Sequence, residues 1–446
     1  MRIYEKQSSL FRSAFTQSNA EKVFGEYITF HSAAGVDGIN KKTFAREITL
    51  HCATIARKTG DSSYAFSRYK HKLLSRGADK PPRVVSIPTI RDKIVLKILN
   101  DLLLSIFNDR MPRSPIHQMI GKISESLTGA GFDYFIRIDV KDYYPSIRHD
   151  LLLRQISKVI KYEPIISLVS GSICDQSQKT RRAGGARIGV PQGLAISNLL
   201  ANLYLINFDK YFSRLPGIAY FRYVDDILVL CKESDFERLS GLLRRRLRKL
   251  GLQQHPYEAD GKSRHGRLSA NEIDYLGYRF AKGVVTVRDS SIDKLRDSLT
   301  KIFTEYKYAK KKNQELLRWK VNLRVTGCVS DAKKYGWLFF FSQIDDLSLL
   351  HKLDHFIVVL SRRYGVPHIK FKSFSRSFHE IRLNLSHTRY IPDFDGFSFE
   401  QKKELLETVF DFRAVDDMTI EQIEYQFRRK IHRSIRELEQ DLQRMS

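Results

Sequence analysis

The sequence predicts an α+β fold, a sheet carrying helices on one face. Three observations predict it. Between residues 133 and 280, short runs of strand composition alternate with helical patterns. From about Ser290 onward the pattern turns helical and, at first, strongly basic. Hydrophobic residues make up 42% of the 446, enough for a sizeable buried core and too many for wholesale disorder. Strands interleaved with helices are what an α+β arrangement requires.

Each element has its own signal. The first 130 or so residues are mixed, with a helix-like start at 20–30 and a Pro/Arg-rich stretch at 80–88. Runs at 134–140, 218–223, 227–230 and 275–280 are rich in β-branched and aromatic residues and have strand length. Segments 194–212 and 236–250 carry helical periodicity. The stretch 301–320 holds Lys301, Lys307, Lys310, Lys311, Lys312, Arg318 and Lys320 against only Glu305 and Glu315, and its aromatics Tyr306, Tyr308 and Trp319 read as core residues. Helices at 347–360 and 420–442 follow, the last mixing charge signs in the manner of a solvated or partner-facing surface. No internal repeat or low-complexity linker separates these parts.

Charge narrows the partner. Lys and Arg number 76 against 50 Asp and Glu, a formal +26. An excess of that size makes a polyanion, and nucleic acid first, the expected partner. Cys52, Cys174, Cys231 and Cys328 lie far apart with no Cys-x-x-Cys pair, which argues against a disulfide scaffold or a structural zinc site. The opening residues lack the apolar core of a signal peptide and no run approaches 18 apolar residues. The expectation is a soluble, intracellular protein with no membrane partner.

The chemistry concentrates at three acids. Residues 221–230 read Phe-Arg-Tyr-Val-Asp-Asp-Ile-Leu-Val-Leu, two adjacent carboxylates between apolar runs. Hairpin turns favour Asn-Gly or Asp-Gly, so Asp225-Asp226 is not explained by turn chemistry. Neighbouring carboxylates raise one another's pKa unless a cation intervenes. A third acid, Asp139, ends the run at 134–140. Opposite the hairpin, it could help to hold two divalent ions about 3.5–4 Å apart, able to activate a 3′-hydroxyl and stabilise departing pyrophosphate. Mg2+ is the expected metal, with Mn2+ as a substitute, because Mg2+ accepts a few carboxylates plus substrate phosphates. Between the acids lies a Gly/Pro/Gln loop, Gly189-Val-Pro-Gln-Gly, where glycines allow a flat ligand to approach the backbone closely. Gly261-Lys262-Ser263 ends like a phosphate-binding loop, but Pro256 stands where its first glycine is required, so that motif is absent.

Seven short motifs in order resemble the bacterial reverse transcriptases, the group containing retron, group II intron and phage-defence enzymes. They are Gly35-Val-Asp-Gly-Ile with Phe44, the block 83–93, Asp139 with Tyr144, Gly189-Val-Pro-Gln-Gly with Ser197, Tyr223-Val-Asp-Asp, Lys262, and Leu276-Gly-Tyr. The resemblance spans about residues 30–285. It implies a right-hand polymerase: N-terminal extension and fingers at 1–132, palm at 133–285 with a fingers insertion at about 150–187, thumb at 286–345, and a helical C-terminal domain at 346–446.

The resemblance also implies roles. Asp139 and Asp225 would be the principal metal ligands, with Asp226 in support and Val140 counted among both the metal- and substrate-binding residues. Arg83 resembles the arginine that clamps the incoming triphosphate, a task suited to its forked donors. The family's second clamp, a lysine six positions earlier, is replaced here by Gly77, and Lys80 is the preferred substitute. Gln192 would lie against the templating base pair, and Lys262 would protonate the leaving pyrophosphate. Tyr144, five residues after Asp139, would close the space of a ribose 2′-hydroxyl and so favour deoxynucleotides. The basic stretch 301–320 falls where a thumb would track a duplex.

The activity so implied is RNA-directed DNA synthesis, from dNTPs, on an RNA template and yielding a DNA product. The segment 323–350 and the helical tail are most similar to defence-associated reverse transcriptases, and among them to the first polymerase subunit of the type 3 class. That similarity implies antiphage defence in the bacterial cytoplasm with a structured noncoding RNA, and a second reverse transcriptase subunit or a homo-oligomer. Val325-Thr-Gly is set aside as a retron motif because it lies beyond the thumb. No Cys/His cluster is present for target-DNA cleavage. The alternatives are a maturase-like RNA-binding protein, an RNA polymerase, and a template-independent nucleotidyl transferase. A pure scaffold gains nothing from mutually repelling carboxylates.

Overall fold

The computed structural model describes residues 2–28, 33–75, 81–111, 116–129, 131–174, 182–183, 185–258, 261–281, 283–412, 415–440 and 442. In chain order the first elements are α1 (Arg2–Ala14), α2 (Gln17–Glu26), α3 (Lys41–Arg46), α4 (Ile48–Gly60), β1 (Lys70–Leu74), β2 (Arg83–Ile87), α5 (Ile90–Ile106) and α6 (Ile116–Gly129). Next come β3 (Tyr134–Lys141), α7 (Tyr143–Ser146), α8 (His149–Ser157), α9 (Glu163–Ile173), β4 (Arg182–Ala183), β5 (Ala186–Arg187), α10 (Ser197–Tyr204) and α11 (Ile206–Phe212). Then follow β6 (Ala219–Tyr223), β7 (Asp226–Cys231), α12 (Phe236–Lys249), β8 (Gln253–Gln254), β9 (Arg264–Arg267), β10 (Ile273–Tyr275), β11 (Tyr278–Ala281) and β12 (Val284–Val287). The chain ends with α13 (Asp289–Lys307), α14 (Gln314–Thr326), β13 (Cys328–Ser330), β14 (Lys333–Tyr335), α15 (Trp337–Phe340), α16 (Leu347–Arg363), α17 (Phe374–Leu383), α18 (Phe399–Thr408) and α19 (Ile420–Gln440). The α+β expectation holds. Among the described residues no helix is long and apolar enough to cross a membrane.

Two compact units divide the chain. The first comprises 1–113 and 133–266. Its centre is an antiparallel sheet in the order β6-β7-β3-β8, with β9 also paired to β3. β7 is buried from Ile227 to Cys231, which its unbroken apolar run permits. β3 reads differently: Ile136, Ile138 and Val140 are buried while Arg137 and Asp139 between them are partly exposed. Strand alternation therefore gives β3 one apolar face and one face bearing charged side chains. The apolar face joins α5, α8, α10 and α12 in one core that includes Ile94, Leu152, Leu200 and Leu243. α5 starts cleanly because Thr89 caps it, its hydroxyl accepting from the Asp92 amide at 3.2 Å.

The second unit comprises 114–132 and 267–446. Its sheet runs β10-β11-β12 and its C-terminal core is built on α19, whose Ile423, Phe427, Ile431 and Ile435 recur every four residues and pack with Leu323, Leu406 and Val415. Gly327 lets two segments touch here, since a Cβ would fall 2.2 Å from the Tyr335 carbonyl oxygen.

Four sequence expectations need correction. The helix at 194–212 is two helices, α10 and α11, with a break at Leu205. The strand at 275–280 is the closed end of a hairpin: Leu276 (φ +51) and Gly277 (φ +81) turn the chain between paired Tyr275 and Tyr278. A Leu-Gly turn hides inside an apolar run because only its glycine is a turn signal. The basic stretch 301–320 is not continuous helix; α13 ends at Lys307 and α14 begins at Gln314 behind an Asn313 cap, leaving Lys310, Lys311 and Lys312 in the link. Tyr308, expected in the core, is 75% exposed, while Trp319 packs against Phe410 with ring centres 5.0 Å apart.

Candidate active site

The acids converge through backbone pairing. β6 and β7 meet across a two-residue turn, Val224-Asp225, with Tyr223 opposite Asp226. Val224 has φ +55, a conformation that burdens a β-branched residue. The turn is held from below. Arg222 Nη1 donates to the Val224 carbonyl at 2.7 Å and to Asn202 at 3.1 Å, while its Nε meets Asp209 Oδ1 at 2.6 Å and Nη2 meets Oδ2. Tyr220 adds its hydroxyl to the same Asp209 at 2.7 Å. Side chains of this pair are only 4% and 8% exposed, so the charges are desolvated and depend on each other.

β3 supplies the third acid. Asp139 faces Asp226 in register, and the Val140 amide donates to the Asp225 carbonyl at 3.1 Å. Burial first, then the neighbouring Asp139 and Asp226 carboxylates, push the Asp225 pKa up to about 6. Asp226 is different: Arg137 grips both of its oxygens, at 3.1 and 2.9 Å. Asp139 Oδ2 lies 3.2 Å from Lys262 Nζ and 3.3 Å from His255 Nε2, and the Ser263 hydroxyl accepts from its amide at 3.1 Å. Burial, then the Lys262 charge, lowers the His255 pKa, which favours the neutral imidazole.

Among the described residues no group of three His, Cys, Asp or Glu side chains is arranged to hold a metal. The donors that fit a hard cation are Asp139 and Asp225, whose mutual repulsion a divalent ion would relieve. Asp226 is committed to Arg137.

Three of the residues expected on the substrate side, Tyr144, Arg83 and Gln192, lie near the acids or near one another. Tyr144 is buried, donates its hydroxyl to Asn198, and has its pKa raised to about 12 by burial and then by the Asp225 charge. Its carbonyl accepts from Val190 at 2.9 Å, tying α7 to the glycine loop. In that loop Gln192 accepts from Arg83 Nε, and its carbonyl accepts from Ser86 at 2.7 Å. Gly193 (φ +96) presses on β2 so closely that a Cβ would lie 2.5 Å from Val85 Cγ1. Arg83 and Gln192, 109 positions apart, are thus brought together. Lys80 lies outside the described residues. The sequence reading missed Arg222, Asp209, Arg137, His255 and Asn198. Arg137 had a legible signal, since it sits two positions before Asp139 and therefore on the same strand face; the others arrive from helices and loops whose registry with the acids is tertiary.

Residues 74–280 match the family model described as reverse transcriptase (RNA-dependent DNA polymerase). Among curated proteins, the chain is similar to Protein YkfC of Escherichia coli strain K12, 22% identical over 44% of this chain and 63% of that one. It is also similar to the group II intron-encoded protein LtrA of Lactococcus lactis subsp. cremoris, 25% identical over 36% of this chain and 28% of that one. A third relative, an uncharacterised 91 kDa protein in the cob intron of Schizosaccharomyces pombe, is 28% identical over 33% and 19%. The chain therefore spans less than two thirds of the length of these relatives. Among solved structures, telomerase from Candida albicans with a fragment of telomeric RNA aligns over 86% of this chain and 67% of that one at 12% identity and a TM-score of 0.41. Apo telomerase from Candida tropicalis aligns over 81% and 69% at 13% identity and 0.39, and both likenesses are too slight to add to the family match. Residues 74–280, which carry the three acids, are thus similar to a reverse transcriptase domain.

Proposed function

We propose that the protein is an RNA-directed DNA polymerase that adds dNTPs to a 3′-hydroxyl on an RNA template. The observation that carries this reading is Asp225, its pKa raised to about 6 by burial and then by the neighbouring Asp139, bordered by buried Tyr144 and lying inside the family-matched segment. Asp139 and Asp225 would hold divalent cations, Mg2+ in preference, with Asp226 and the Val140 backbone close by. Bound there, two such ions supply Lewis-acid activation of the hydroxyl and charge neutralisation on the pyrophosphate. The chain's own residues do the rest. Arg83, with Lys80, clamps the triphosphate; Gln192 bears on the templating pair; Tyr144 excludes the 2′-hydroxyl; Lys262 delivers a proton to the leaving group. The division that goes with this reading is fingers at 1–132, palm at 133–285, thumb at 286–345 and a helical C-terminal domain at 346–446.

At a finer level we place the protein in antiphage defence in the bacterial cytoplasm, with a structured noncoding RNA as template and a second polymerase subunit or another copy as partner. A maturase-like role in RNA folding is the second reading, favoured by the similarity to an intron-encoded protein. Primer extension decides the first level. Wild type should incorporate dNTPs into a DNase-sensitive product only when RNA template is present, and Asp225→Ala with Asp226→Ala should incorporate none. Retained synthesis in that double variant would exclude this site; template-independent synthesis would make the protein a terminal transferase.

A further inference from the structure

The expected duplex-binding stretch around 301–320 is partly neutralised in the structure. Lys311 pairs with Asp411, Arg318 with Glu315, and Lys320 with Glu305 at 3.0 Å. A second group of uncompensated cations, more closely spaced, lies on α12. From residue 238 to 257 the sequence holds six Lys and Arg and no carboxylate. Arg244, Arg245, Arg248 and Lys249 are all exposed, and among the described residues none of the four makes an ion pair. Arg238, one turn earlier, is instead held by Asp235 at 2.7 Å.

The orientation of α12 places this charge away from the acids. Its inner face buries Leu239, Ser240, Leu243 and Leu247. Phe236, its first residue, packs on Tyr134 with ring centres 5.3 Å apart. On β3, Tyr134 shares a face with Ile136 and Ile138, opposite to the face bearing Arg137 and Asp139. α12 therefore backs the sheet whose other side carries the carboxylates.

A second helix extends the patch. Arg246 lies flat on the Tyr211 ring of α11, its guanidinium 3.2 Å from the ring centre, and its buried Nε has no hydrogen-bond partner. Lys210 on α11 and Arg214, two residues past its end, are exposed on either side of that tyrosine. The result is a ridge of cations on two packed helices, with α12 repeating its charges every four residues, about 6 Å of helix rise. Arginine dominates it, and arginine forks match phosphate oxygens two at a time. No large hydrophobic side chain stands exposed on α12 or α11, so the ridge lacks the apolar anchors of a bilayer-surface helix.

We infer that the α11–α12 ridge is a docking surface for the phosphate backbone of double-stranded RNA, separate from the catalytic cleft. This rests on the reading of the protein as one that works on RNA. It gives a structured template a second hold, on the reverse side of the sheet that copies its single-stranded end.

The test uses the full chain and a blunt, closed RNA stem of about 20 base pairs, longer than the roughly 16 that a stem-binding domain covers. Arg244→Gln, Arg245→Gln, Arg248→Gln and Lys249→Gln are combined, beside a control in which the three arginines become lysine. Stem binding is followed by anisotropy from about 50 to 200 mM salt. The glutamine variant should lower the log–log salt slope by about 3, close to one for each lost phosphate contact, and weaken stem binding at least tenfold at about 100 mM. The lysine control should keep most of the slope. Extension of oligo(dT) on poly(rA) should stay within about twofold of wild type, because the ridge does not touch that duplex. An unchanged slope overturns the inference, as does extension falling in parallel with stem binding, or a stem that competes with primer–template for one site. Loss of binding to phosphatidylglycerol vesicles in place of RNA would assign the ridge to a membrane surface and overturn it too. Failure of wild type to extend any primer would sink the polymerase reading while leaving stem binding intact.

Discussion

Replacing Asp225 by asparagine should abolish synthesis and yet stabilise the domain. Burial and two neighbouring carboxylates hold the Asp225 pKa at about 6 in place of 3.8. Each pKa unit is worth about 1.4 kcal/mol, so keeping this group ionised in the fold costs about 3 kcal/mol. The sign follows from proton binding. Between pH 3.8 and about 6 the native state holds the proton more tightly than the unfolded chain, so stability falls as pH rises through that window and is flat above it. Asparagine carries no charge and escapes the cost. Its advantage should be near zero below about pH 4 and approach 3 kcal/mol above about pH 7. Urea unfolding in EDTA at several pH values measures this, as a midpoint shift of about 1 M or more for a urea slope of 1–3 kcal/mol per molar. Mg2+ should then stabilise wild type, by mass action on the folded state, and leave the asparagine variant unmoved. The reasoning fails if the variant is no more stable than wild type near neutrality, or if its advantage persists undiminished in acid.

Three further predictions concern residues around the acids. Asp209→Asn strips the buried Arg222 of its counter-charge and should cost about 3–5 kcal/mol in denaturant unfolding, the usual loss when one partner of a buried pair is removed; a cost under about 1 kcal/mol would mean the pair is hydrated. Tyr144→Ala or Tyr144→Val should raise rNTP incorporation relative to dNTP, read from competing substrates on one template, and an unchanged ratio would cancel the gate assignment. Gly193→Ala places a methyl 2.5 Å from Val85 and 3.1 Å from the Ser86 carbonyl at a φ of +96. It should destabilise by about 1–3 kcal/mol and weaken dNTP use through Gln192 and Arg83, with a raised KM as the readout.

How much of this was legible follows from where the forces originate. The β6–β7 hairpin and the end of β3 announced themselves, because apolar runs broken by acids are local facts and strand pairing then has little freedom. The Arg83–Gln192 meeting emerges only in the fold, since nothing local relates positions 109 apart. Arg222 stands next to Tyr223, but nothing in the sequence sets it apart from the other cations; its value comes from Asp209 on α11, and only packing reveals that a charge is buried. The commitment of Asp226 to Arg137 was also hidden, because the sequence puts Arg137 on a strand but Asp226 in the hairpin link. Charge counting pointed to 301–320, yet Lys311, Arg318 and Lys320 there find acids, whereas Arg244, Arg245, Arg248 and Lys249 of α12 find none among the described residues. Sequence gives the number of charges, and tertiary pairing decides which remain to be used.

The triple attachment of β2 to the glycine loop has a mechanical consequence. Arg83 bonds the Gln192 side chain, the Ser86 amide bonds its carbonyl, and Val85 is wedged against Gly193. Three ties at neighbouring positions leave no hinge between them, so strand and loop travel as one plate. Whatever flexing admits or releases a ligand has to occur outside this plate, where β1 runs exposed toward Leu74, or else snap all three fastenings together.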